Sequence, residues 1–390
     1  MGPHILWRGW SGGELVSGAF DGTAFDGEAV VLATPIGRLD YLDPFGEGST
    51  TTYDVGRWLS PKVETPFGLT ELIASWNATT PVGTWVEVEA RGTDDVGAPT
   101  GWYVLGRWAS HDDGFHRTTV PGQQDDLAFV DCETLKTRAR RTLTGWQLRL
   151  TLCRAAGAAD GPRVTLAGAM ASALDTEPDP PSAAGVASVL DVPTYSQQLH
   201  RGHYPEWNNG GEAWCSATST AMVLDYWGAG PTAGETAWVS HGDADPQVDF
   251  AVREVFDYAY AGAGNWSFNA AYAASRGLTA FVTRLRSLAE AEVFIAAGIP
   301  LVVSTSFTGS ELDGAGYDTA GHLMVLVGFD GNGDPVLNDP ASHERPSDAE
   351  VRVTYGRAQF ERAWSRSGRL VYVVRPAGTP LPPAPDEPNW

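Results

Sequence analysis

The chain has 390 residues, enough for two or three separate cores, and with 43% hydrophobic and 11% aromatic residues it belongs among globular rather than disordered chains. Acidic residues number 48 against 26 basic ones, a formal charge of −22 that repels phosphate backbones and anionic lipid. Nucleic acid and membrane are therefore excluded as partners, and no run of about 18 apolar residues occurs to span a bilayer.

The opening MGPHILWRGWSGGE has neither a basic start nor an apolar run, so no signal peptide is expected in it. Residues 1–174 then read as short strands separated by glycine, proline and aspartate. In GTWVEVEARG, Trp85, Val86, Val88 and Ala90 mix with Glu87, Glu89 and Arg91 at a period near two, the mark of a strand with one buried and one wet face. Similar runs cover 72–76, 102–108, 127–132 and 146–153. Many strands without helical periodicity between them predict an all-β sandwich or jelly roll. Its tryptophans suit a β core, and a glycan stacked on them is the ligand they would otherwise serve. Cys132 and Cys153 fall in strand-like stretches and are expected as buried thiols, with a disulfide between them left open.

Residues 175–188, DTEPDPPSAAGVAS, cannot build a core and read as a linker; 377–390 read as a proline-rich tail. Between them, 189–376 have an α+β rhythm. Helices are expected over 217–227, 246–260 and 266–275, and over 287–297, opened by a capping box of Ser287 and Glu290. Strands are expected over 299–304, 323–329 and 370–374.

Three pieces of this second half carry chemistry. Cys215, in EAWCSATSTAMVLDYWG, stands at the start of a helical pattern, where the helix dipole and free N–H groups favour a thiolate nucleophile. In AGHLMVLVGFDGNGDPVLNDPAS, His322 begins a strand and Asp339 ends the returning one, so a hairpin brings imidazole and carboxylate together and orients a general base. In DVPTYSQQ, either Gln197 or Gln198 offers an amide donor which, with the Cys215 N–H, forms an oxyanion hole.

In the order Gln…Cys…His…Asp, these segments resemble the papain superfamily. DVPTYSQ, AWCSATSTAMVLDYWG and AGHLMVLVGFDGNGDPVLNDPAS resemble more narrowly the stand-alone relatives of the bacteriocin-leader-processing peptidases, cysteine peptidase family thirty-nine. The resemblance implies a bacterial thiol protease of papain-like α+β fold over 189–376, behind an N-terminal β-sandwich accessory domain. By it Cys215 is the nucleophile, His322 the general base and acid, Asp339 the orienting carboxylate and Gln197 the oxyanion donor. The expected reaction is hydrolysis of a peptide or amide bond through an acyl-enzyme, on a peptide or peptidoglycan-type substrate, by a monomer. The alternative is an inactive peptidase-like protein that binds a glycan or protein through the β-sandwich. An extracellular location follows from the resemblance, with a cytoplasmic one left open.

Neither metal nor cofactor is expected. His200, His203 and Glu206 make a weak zinc pattern and read better as a cleft rim. Asp330, Asn332 and Asp334 open like a calcium loop, but Pro335 stands where that loop needs glycine, so a hairpin turn is expected. Asp243, Asp245 and Asp249 read as a solvated approach to a helix.

Overall fold

Strands fill the first half, and in the one whose alternation is plainest the charged face is covered as well. Thr84–Thr93 lies between Tyr103–Trp108 and Leu143–Ala155. Val86, Val88 and Ala90 are buried as the period-two pattern predicts, and Trp85, on the face of Glu87 and Glu89, is buried as well. The face expected to be wet is not open. Register sets Glu87 opposite Arg107 and Glu89 opposite Arg149, and guanidinium–carboxylate contacts of 2.8 and 2.5 Å roof it over.

The computed structural model describes residues 3–174, 182–183, 185, 187–208, 210–239 and 244–390. It divides into a β unit, His4–Ala173 with Asp257–Tyr260, and a second unit formed chiefly by Leu174–Phe256 and Ala261–Trp390. The β-rich first half and the α+β second half are both present.

The β unit has two seven-stranded sheets, antiparallel throughout their ladders. Trp10, on His4–Ser11 of one sheet, meets Trp58 and Trp146 of the other edge-on, at centroid distances of 5.9 and 5.8 Å. Trp76, Trp85 and Trp108 are equally buried. These six rings are core and offer no face to a sugar. Cys153 is buried in Leu143–Ala155, beside Tyr41, Tyr53 and Trp85. Cys132 is not in a strand. It occupies the turn between Ala128–Asp131 and Thr134–Thr137 of the other sheet with φ 53°, and no disulfide joins it to Cys153.

The second unit is built on an antiparallel sheet in the order Thr279–Arg284, Leu370–Arg375, Leu301–Phe307, Thr319–Phe329, Pro335–Asn338, Arg352–Thr354. Its helices are α1 (Cys215–Tyr226), α2 (Pro246–Val255), α3 (Trp266–Ser275), α4 (Leu288–Ala296) and α5 (Arg357–Ser365). α2 ends five residues before the expected 260. Phe256 turns extended, and the Asp257 carboxylate then binds the N–H groups of Ala259 and Tyr260 at 3.1 and 3.2 Å, closing a turn instead of continuing the helix. At α4 the Ser287 side chain makes no cap bond. Glu361 of α5 takes the N–H of Leu288 instead, at 3.0 Å. α5 itself was not expected, although Phe360, Ala363 and Trp364 form a buried stripe at helical spacing.

α1 is buried on every side from Ser216 to Leu224, packed against α2, α3 and the strand Thr319–Phe329. Its hydroxyls make this possible. Ser216 Oγ pairs with the Tyr372 hydroxyl at 2.9 Å, and Thr220 Oγ1 donates to Asn269 Oδ1 at 3.0 Å. Ser219 Oγ donates to the carbonyl of Leu323 at 3.2 Å.

Of the expected linker, residues 175–181, 184 and 186 lie outside the described residues. Ser182 is held on α5, its N–H and hydroxyl donating to Glu361 at 2.8 and 2.9 Å. Ser188–Val189 adds a short strand beside Thr319–Phe329. The proline-rich stretch 377–390 ends in two buried residues. Asn389 Nδ2 donates to Arg284 O and Glu290 Oε2 at 2.8 and 2.9 Å, and the Trp390 ring stands 5.0 Å from Phe294, with its N–H on Pro382 O at 3.0 Å. Trp390→Ala is therefore expected to cost about 3 kcal/mol of stability in urea unfolding. A change below about 0.5 kcal/mol would mark the tail as loosely attached.

Candidate active site

Cys215 is the first residue of α1. It follows a tight approach in which Gly210 and Gly211 take positive φ and Gly211–Ala213 form a single 3-10 turn. Trp214 is buried, its indole N–H donating to Trp207 O at 2.8 Å, while its carbonyl accepts from both the N–H and the hydroxyl of Thr218 at 2.9 and 2.8 Å. The helix start is thus fixed on both sides of the half-buried thiol.

His322 sits on Thr319–Phe329. The hairpin through 330–334 returns in register, Phe329 opposite Pro335 and Val325 opposite Asn338, with one bulge between Leu326 and Gly328. Asp330 makes the turn: its Oδ1 accepts from the N–H groups of Asn332 and Asp334, each at 2.9 Å. Asp339 follows Asn338, and its Oδ1 meets His322 Nε2 at 2.8 Å. Nδ1 is the nitrogen left to face Cys215, whose thiol is hydrogen-bonded to His322. The structure thus brings Cys215, His322 and Asp339 into one line.

Asp339 is fully buried and takes two donors on each oxygen. Oδ1 accepts from His322 and from the Ala341 N–H at 2.9 Å. Oδ2 accepts from the hydroxyls of Tyr317 and Tyr355 at 2.8 and 2.7 Å. Burial pushes the carboxyl up, but the His322 charge and these donors outweigh it and hold it below its usual range. Sequence reasoning missed both tyrosines. Tyr317, five residues before His322 in GYDTAGH, could have been suspected from proximity; nothing marks Tyr355, which comes from beyond Arg352–Thr354.

The same contest decides the other two groups. Burial pulls His322 down, yet the charges of Asp339 and Cys215 raise it to about 10. Burial raises Cys215, but the His322 charge and hydrogen bond, with the N–H groups of Leu323 and Ser216, bring it below the ordinary thiol value. Cys132 and Cys153 go the other way, raised chiefly by burial. These shifts favour a thiolate beside an imidazolium backed by a carboxylate, a set that can attack an electrophilic carbon and return a proton.

Gln197 opens the turn Gln197–His200, which packs against Gly211–Ala213 just ahead of Cys215. Its N–H donates to Pro340 O at 3.0 Å. The side chain is buried, Oε1 has no partner, and it bonds to none of the other three residues. Gln198 differs: its Oε1 accepts from Arg201 Nε at 2.6 Å.

His200 and His203 do come together, but not with Glu206, which is exposed. Their partner is Asp249, whose two oxygens meet their Nδ1 atoms at 2.9 Å each. Asp249 is fully buried on α2, which corrects the expectation of a solvated acidic approach. Asp245 takes the N-cap position of α2, and Asp243 lies outside the described residues.

Two family models match the chain. Residues 7–172 match the model of the peptidase C39 N-terminal domain and residues 189–372 that of the Peptidase_C39 like family. A crystal structure from Bacillus anthracis, described as a C39-like peptidase, is 18% identical over 48% of this chain and 97% of its own, with a TM-score of 0.27. Two structures of infectious bursal disease virus, strains Gx and Gt, are 11% and 12% identical over 43% of this chain and 51% and 50% of theirs, with TM-scores of 0.15 and 0.14. No curated protein sequence matches. The chain thus carries a domain matching the peptidase C39 N-terminal domain, followed by one matching the Peptidase_C39 like family.

Proposed function

We propose that this protein is a papain-like cysteine peptidase or amidase that hydrolyses a peptide bond, in a peptide or peptidoglycan-type substrate, through Cys215. The observation that carries the reading is the lowered thiol at the start of α1, paired with an imidazole whose far nitrogen is held by the buried Asp339. The match to a peptidase family model supports it.

In this mechanism the thiolate attacks the carbonyl carbon, and the Cys215 N–H and the Gln197 amide receive the developing oxyanion. His322 passes its proton to the departing amine, and the acyl group stays on sulfur. Water, deprotonated by the now neutral His322, attacks the thioester and releases the acid, which restores the ion pair. Asp339 keeps the imidazole turned toward sulfur throughout, while Tyr317 and Tyr355 keep Asp339 ionised. Gln197 is preferred over Gln198 because it directly follows Tyr195 and Ser196 in the family-like YSQ.

Cys215→Ala and His322→Ala should each abolish peptide hydrolysis, and Asp339→Asn should leave partial turnover, since orientation is only part of the effect. Full activity in His322→Ala would overturn the assignment.

Gln197→Ala should lower turnover by roughly 10²–10³-fold, or about 2.7–4 kcal/mol of barrier, with little change in substrate binding. Gln198→Ala should be nearly silent. The reverse ranking would place the oxyanion hole one residue away.

The pH dependence follows from the two shifts. The thiolate is lost as pH falls through the lowered Cys215 value, and the imidazolium is lost as pH rises through about 10. Iodoacetamide alkylation of Cys215 should therefore rise less between pH 7 and pH 8.5 than that of an ordinary thiol, which gains roughly tenfold. Cys132 and Cys153 should lag far behind. A rise for Cys215 as steep as that of an ordinary thiol would refute a preformed ion pair.

A further inference from the structure

Among the described residues, one cluster away from Cys215 has the spacing of a metal site: His200, His203 and Asp249, with one potential ligand atom from each lying within 4.8 Å of the others. A tetrahedral zinc with bonds of about 2.1 Å sets its ligand atoms about 3.4 Å apart, which lies inside that span. Both histidines turn the same nitrogen, Nδ1, to the same carboxylate, one to each oxygen, at 2.9 Å. Asp249 and His200 have no exposed side chain, and His203 keeps a little.

A buried carboxylate normally has a guanidinium, an ammonium or several N–H donors to offset its charge. Among the described residues the two imidazoles are all that Asp249 has. Neutral imidazoles would supply two hydrogen bonds and leave a net negative charge in the interior. His200 Nε2 is buried without a partner, so the polar anchoring of that ring also rests on Nδ1. A dication bound to both Nδ1 atoms, with each neutral ring carrying its proton on Nε2, would offset the carboxylate and hold both rings.

We propose that His200, His203 and Asp249 bind one divalent transition-metal ion of the zinc class and that this ion fastens the segment leading into Cys215 to α2. Two imidazoles and one carboxylate suit zinc, with water completing four-coordination; calcium and magnesium prefer all-oxygen shells. The segment needs such a fastening. Tyr204 and Asn208 hold left-handed φ values of 42° and 72°, and among the described residues only short 3-10 turns organise the backbone between Gln197 and α1.

The test uses the full chain carrying Cys215→Ala, so that the thiolate and His322 cannot capture the metal. After dialysis against a chelator, zinc titration by calorimetry should show one site, zinc but not calcium should raise the melting temperature, and cobalt should give the visible absorption of a tetrahedral centre. Adding His203→Ala or Asp249→Asn should weaken zinc by more than about 100-fold, beyond the loss of an outer hydrogen-bond partner. His203→Ala, at the partly exposed position, serves if Asp249→Asn fails to fold. Absence of saturable zinc binding in the Cys215→Ala chain, or unchanged affinity in His203→Ala, would overturn the site and leave Asp249 a proton-bridged carboxylate.

Discussion

The charge on Asp339 is the constraint on which the rest of the site depends. A carboxylate with no exposed surface stays ionised only if its surroundings replace the water it has lost, and here four donors do so. Its charge keeps a proton on His322, and the imidazolium in turn lowers the Cys215 thiol. Each step works against burial, which by itself would leave a neutral acid, a neutral imidazole and a thiol. The raised imidazole and the lowered thiol are therefore properties of the network. Tyr317 and Tyr355 belong to it although neither is bonded to His322 or Cys215.

The fold supplies this network from three places in the chain, so their relative positions must be held to a fraction of an ångström. The hairpin fixes His322 against Asp339 through backbone register. α1 is fixed to the same strand by the bond from Ser219 to the carbonyl of Leu323, the residue after His322, and by the Leu323 N–H that faces the Cys215 sulfur. A helix buried all round gains little guidance from an apolar stripe. Its serines and threonines, each with a named acceptor, set its rotation and depth instead.

Much of this was legible in the sequence because it is local. The period-two runs mark strands, DGNGD marks a hairpin, and a hairpin brings its two ends together whatever surrounds it. That is why His322 and Asp339 could be paired from the sequence. What was hidden depends on contacts between distant segments. Glu89 looks solvent-facing until Arg149, some 60 residues on, lies opposite it. Asp249 looks like a surface acid until two histidines from a loop 46–49 residues earlier close on it. α2 stops at Val255 because Asp257 folds its own turn and is bound by Thr119 of the β unit, at 3.1 and 2.9 Å, a partner no local pattern announces. α5 was a missed local signal: Phe360, Ala363 and Trp364 carry the spacing of a buried helical face.

Among the described residues there are two buried histidine–aspartate arrangements, and the other partners of each carboxylate separate their roles. Asp339 has a backbone N–H and two phenols besides its histidine, so its charge is met without further cations. His322 is then free to spend its second nitrogen on sulfur, and a proton moving between them leaves the carboxylate satisfied in either state. Asp249 has imidazoles alone. Removing a proton from either ring would strip a donor from a carboxylate with no substitute, so this set is poorly arranged for proton transfer. It is better arranged to hold a fixed positive charge. Similar residue types thus acquire different chemistry through the number of donors on the acid, and that number is decided by segments far away in sequence.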